Sequence, residues 1–233
     1  MKTKLIEKAK QISTEYKFGD FFRNFLAVIL GIIITFAGSD WITEHNAQKE
    51  VKESILLVKS ELQTNREDIA YIKELVELEQ KGALYLLEYK GRIQEADPDS
   101  LQKYDRLPFQ SISFNAMYDA LEMLKASGLI PKIKNKELTV QILTAYAIVR
   151  NSQSAFDSYG NIKQRCLEEL MKVPDVKKRM NSTNYIDWNF YFKYPEGVAL
   201  IQQIPQIQST DIYQNHLKAI DKVIAAIDEE YNQ

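Results

Sequence analysis

The run from Phe25 to Gly38, FLAVILGIIITFAG, carries no charged residue, and it constrains the chain more than any other segment. With its flanks Phe21, Phe22, Arg23, Asp40 and Trp41 it reads as a helix from Phe21 to Ile42. At about 1.5 Å per residue that helix is roughly 33 Å long, enough to cross a bilayer core of about 30 Å. Arg23 then has to snorkel toward one headgroup layer and Asp40 to sit at the other. Two other structures meet the same composition. A cleaved signal peptide would use Thr35-Phe36-Ala37 as its site, but 24 residues ahead of the apolar run are long for a secretory n-region. A buried core helix would show a polar stripe or a breaker, whereas the arc facing away from Thr35 is unbroken Ile, Leu and Phe. The expectation is a retained transmembrane helix at 21–42, in contact with membrane lipid.

Ahead of it, residues 1–24 hold six basic and three acidic residues, with Leu5, Ile6, Ala9, Ile12 and Tyr16 at helical spacing. That pattern predicts an amphipathic interfacial helix over 1–20. The basic flank Lys4, Lys8, Lys10, Lys17 and Arg23 outweighs Lys49, Lys52 and Lys59 on the other side, a lean toward a cytoplasmic N-terminus that leaves the side of the soluble domain open. The first 24 residues carry +3 of a total of −2, so the remainder carries −5 and has no bulk attraction for nucleic acid. A single cysteine, Cys166, excludes an internal disulfide framework.

Beyond the span the periodicity is helical nearly throughout, and the expected fold class is all-α. No proline interrupts 21–97, so the apolar helix is expected to run on as a stalk over 43–95, with a helical soluble domain over 96–233. Val51, Ile55, Val58, Leu62, Asn65, Ile69, Ile72 and Val76 alternate spacings of four and three, a strict heptad seam with one polar position. Such a seam pairs either between chains, as a coiled coil in which Asn65 sets register, or within one chain as part of a bundle. Leu57, Leu75 and Leu78 add apolar surface off the seam and tilt the reading toward the bundle. Further helices are expected over 114–127, stopped by Gly128 and Pro131, over 137–172, ended by Pro174, and over 212–231 after a Ser-Thr-Asp cap. The segment 175–209 has no clear period, and its aromatic run Tyr185 to Tyr194 suits a strand or packed loop.

The apolar run with Asp40-Trp41, then Tyr118-Asp119-Ala120-Leu121, Ser127-Gly128 and Lys136-Glu137-Leu138, resembles a family of single-pass bacterial membrane proteins of unknown function. In that family a basic N-terminus precedes one apolar helix ending in Asn- or Asp-Trp, a long charged helix and a Tyr-x-x-Leu…Ser-Gly segment before a Lys-Glu-Leu helix. The likeness spans about two thirds of the chain, leaves out 175–209, and implies the architecture and a bacterial inner-membrane location without any reaction.

Catalysis is disfavoured by what the motifs lack. His45 and His216 are the only histidines, neither a zinc set nor a Ser-His-Asp grouping follows from spacing, and no phosphate loop or dinucleotide glycine pattern is present. No cofactor is expected. Self-association is better supported: Asn24, Ala27, Gly31, Thr35 and Gly38 share an arc of about 80° on the span, a stripe slim enough for helix backbones to approach. Lys177, Lys178 and Arg179, followed by Tyr185, Trp188 and Tyr191, combine charge with aromatic faces in the manner of a nucleotide or oligonucleotide site. Two functions fit. One is a homo-oligomeric pore-forming or membrane-perturbing effector, as in anti-phage defence, with Asn24 and Thr35 lining a path gated by the helical domain. The other is a membrane-anchored scaffold whose helical domain binds a protein partner and conducts no ions.

Overall fold

Helix α1 runs without a break from Lys2 to Glu88. The computed structural model describes residues 2–111, 113–182 and 186–231, with side chains from Phe22 onward other than that of Asn181. The backbone of 2–20 is therefore continuous with the apolar run rather than a separate interfacial helix; the side chains that would make it amphipathic lie outside the described residues. No proline or positive-φ residue occurs along α1 to stop it, and Gly91, at φ 81°, turns the chain just after it.

The chain divides into two compact units, residues 1–52 and 53–233. The stretch expected as a stalk, 43–95, is cut by that boundary, and from Glu53 onward it belongs to the same unit as 96–233. The second unit is all-α: after α1 come α2 (Pro98–Tyr104), α3 (Asp119–Ala126), α4 (Lys136–Met171), α5 (Pro174–Ser182), α6 (Trp188–Tyr191), α7 (Pro195–Gln203) and α8 (Asp211–Tyr231), with no strand among the described residues.

Two heptads build the core. Every position of the α1 seam from Val51 to Val76 is buried, and the seam continues through Glu79, Ala83 and Leu86. Helix α4 carries a matching series: Leu138, Ile142, Ala145, Val149, Ser152, Phe156, Tyr159 and Lys163 are all buried at spacings of four and three. Glu61 of α1 meets Tyr146 of α4, and Glu79 meets Tyr159 and Lys163, so the two helices run parallel with facing seams. The heptad thus pairs within one chain, and its positions are closed to a second copy; the intermolecular alternative for the seam does not hold. Helix α8 runs antiparallel to α1, with Lys59 bonded to Asp228 and Arg66 to Asp221.

Two segments differ from expectation. The helix foreseen over 114–127 starts only at Asp119, because 113–118 takes no regular structure and is held to α1 at Met117. Asn65 holds it there as a strand neighbour would: its Nδ2 donates to the Met117 carbonyl and its Oδ1 accepts from the Met117 amide, both at 2.8 Å. Glu61 then accepts from the Ala120 amide at 2.8 Å and satisfies one of the orphan donors at the start of α3. Within the aromatic run, Trp188–Tyr191 form the one-turn helix α6, capped by Asp187 accepting from the Phe190 amide, and the residues on either side from 186 to 194 are turn or irregular; Tyr185 lies outside the described residues. The close partner of α6 is Gly197 at the start of α7, where a Cβ would lie 2.2 Å from the Tyr191 carbonyl oxygen.

Candidate functional site

From Phe22 to Ile42 almost every side chain is exposed, including Phe36 at 66 % and Ile34 at 69 %, and α1 is long and apolar enough to cross a membrane. Asn24, Ala27, Gly31, Thr35 and Gly38 are all exposed, and a Cβ built on either glycine meets nothing within 4 Å. The Thr35 hydroxyl donates back to the Gly31 carbonyl at 2.8 Å, so its proton is satisfied within the helix.

The basic-aromatic patch does not assemble. Trp188 and Tyr191 are core residues, 1 % and 2 % exposed, packed against Phe109 with ring centroids 5.3 Å away in each case, Trp188 stacked and Tyr191 tilted. The Trp188 indole donates to the Asp105 carbonyl, which bolts α6 onto the chain after α2. Arg179 lies over the Phe190 ring and donates to Asp187, while Lys177 and Lys178 are exposed on α5. Trp188 and Tyr191 therefore offer no free stacking face beside the charge, and Tyr185 lies outside the described residues.

A cleft that sequence reasoning missed opens between α1, the segment after α2 and α4. It encloses about 450 Å³, with Glu79, Tyr159 and Lys163 in its wall. Lys163 donates to Glu79 at 2.8 Å and to the Gln110 carbonyl at 2.7 Å, and Tyr159 donates to the other Glu79 oxygen at 3.0 Å. Burial pushes the Glu79 carboxyl above the ordinary carboxylate range against the opposing pull of Lys163, and burial beside Glu79 raises the Tyr159 phenol. Glu79 and Lys163 pair with each other inside the protein, and the Lys163 bond to the Gln110 carbonyl ties that residue to the two parallel helices. Ser111, Asp157 and Asn161 supply a polar rim, so the cleft suits a small hydrogen-bonding guest better than an apolar one. The signal for Glu79 and Lys163 was in the periodicity, since both fall in register on their heptads.

A second pair was not foreseen. His216 of α8 approaches the Ser152 hydroxyl of α4 at 2.7 Å through Nδ1, and burial lowers the pKa of that imidazole. Ser152 is fully buried and donates to the Ile148 carbonyl, so the contact joins two helices and offers no accessible hydroxyl. No cluster of three or more metal-ligating side chains occurs among the described residues. Comparison of the chain with protein-family models, with curated proteins and with solved structures returns no match.

Proposed function

We propose that this is a single-pass, non-enzymatic protein of the bacterial inner membrane that holds a helical docking domain at the bilayer for a protein partner, and whose spans associate through the small-residue face. The observation that carries the reading is the division of apolar surface. The α1 seam is buried within its own chain, while the apolar side chains of 22–42 are left almost all exposed. A domain that needs no second copy for its core, beside a helix that needs lipid, is the arrangement of a tether. The resemblance to single-pass bacterial membrane proteins agrees with this reading, and the internal pairing of Glu79, Lys163 and Tyr159 agrees with a role outside catalysis.

A second reading, the pore-forming or membrane-perturbing effector of a defence system, is favoured by one feature: Asn24 and Thr35 share the small-residue arc, where several copies would turn them toward a common axis. The back-bonded Thr35 hydroxyl weighs against it, because its proton is already used. Ion flux from vesicles loaded with the purified chain separates the two. The docking module releases no more than empty vesicles do. Release that scales with the amount of protein and is abolished by Thr35→Val overturns the tether in favour of the pore.

A further inference from the structure

Helices α4 and α8 pack side by side and leave an apolar groove of about 530 Å³ on their outer surface. One bank is the row Val140, Thr144 and Ile148 at successive turns of α4, with Val140 62 % exposed. The Thr144 hydroxyl donates to the Val140 carbonyl, so its proton is used within the helix and the row is mainly apolar. The other bank is α8, where Ala219 and Ala226 keep the groove open. Small residues on one bank and exposed branched ones on the other are the relief into which a third helix fits.

The charges around the groove say what kind of helix. Lys218 and Lys222 line it, and neither has an ion-pair partner among the described residues. Glu137, Glu229 and Glu230 cluster beyond Ala226, at the far end. On α8, Lys218, Lys222, Ala225 and Glu229 fall within an arc of about 60°, and Lys222 and Glu229 are about 10 Å apart along the axis. The opposite side of α8 has its acids engaged, Asp221 by Arg66 and Asp228 by Lys59. The outward charges are thus segregated by sign along one apolar trough, which selects both a partner and its direction.

Building on the docking-module reading above, we infer that this groove receives the partner, and that the partner contributes an amphipathic helix with an apolar stripe, carboxylates facing Lys218 and Lys222, and basic residues facing Glu137 and Glu229. Its stripe packs against Val140, Ala219 and Ala226.

The test uses the full chain in detergent and two fluorescent helical peptides of about 21 residues with the same Leu/Ala stripe. One carries glutamates at one end and lysines at the other; its control carries lysines at both ends. Anisotropy is expected to show the mixed peptide binding at least tenfold tighter than the all-lysine one, Val140→Glu weakening it tenfold or more, and Lys218→Glu with Lys222→Glu reversing the preference. No binding by either peptide up to 1 mM, or a preference unmoved by the charge reversal, overturns the inference. So does a change in the mass of the peptide-free chain on the same charge reversal, because the groove would then hold a second copy. Anchoring plays no part in a detergent measurement, so a negative peptide result leaves the tether standing, and conduction in vesicles leaves the groove standing.

Discussion

Replacing Asn65 by leucine separates two accounts of the α1 heptad by the sign of a stability change. In a coiled coil between chains, a lone Asn on the seam fixes register at a cost, and Leu raises stability. Here Asn65 is fully buried and its carboxamide closes both hydrogen bonds of the Met117 backbone. Leucine removes two bonds worth about 1 kcal/mol each and leaves a part-buried amide and carbonyl without partners, for a combined loss of about 3–4 kcal/mol. Burying the leucine side chain instead of an amide returns about 1 kcal/mol. The net loss is about 2–3 kcal/mol, which for a unit of this size lowers the melting temperature by roughly 5–10 °C. Circular dichroism of the full chain in a mild detergent reads the shift, and hydrogen exchange at the Met117 amide is expected to accelerate with it. A melting temperature that is unchanged or raised refutes the role assigned to Asn65.

Other expectations follow from the same contacts. Lys163→Met strands the Glu79 carboxylate in the cleft wall and should cost about 3–5 kcal/mol, whereas the double variant with Glu79→Leu should recover most of it; equal loss in both would show that packing, not charge, dominates there. His216 has its pKa lowered by burial, so the unfolded chain takes up a proton first as the medium is acidified. Its share of stability is complete above about pH 6.5 and disappears as the pH falls from there to the lowered folded value. His216→Gln should flatten that part of a stability–pH curve, and an unaltered slope excludes His216 as its source. Gly31→Leu with Gly38→Leu should reduce the mass of the detergent-solubilised assembly and leave the melting temperature of the helical unit in place, since neither Cβ meets anything in its own chain. An assembly of unchanged size removes the small-residue face as a contact.

The parts of this fold visible in the sequence are those governed by local rules. Helix α4 ends one residue before the expected Lys172 with Pro174 close behind, and α8 begins one residue before the expected Ile212, because caps, prolines and apolar periods act over a few residues. The non-helical path of 113–118 was not visible, because it depends on Asn65, which is 52 positions from Met117 in sequence. Trp188 and Tyr191 suggested a ligand face and instead form core around Phe109, a contact that no spacing within the run announces. The cleft was half legible: continuing the two heptads past Val76 and Phe156 places Glu79 and Lys163 inward, but that they face each other across parallel helices is a fact of tertiary structure.

The placement of 22–42 in lipid underlies the whole account, and thiol labelling tests it most directly. In a Cys166→Ser background, single cysteines at Ile33 and Lys52 are reconstituted into vesicles and exposed to a membrane-impermeant maleimide, before and after detergent and with the vesicles broken to reach both faces. The account predicts that the cysteine at position 33 stays unlabelled until detergent is added, while that at 52 reacts at once. Equal labelling of both in intact bilayers would contradict it.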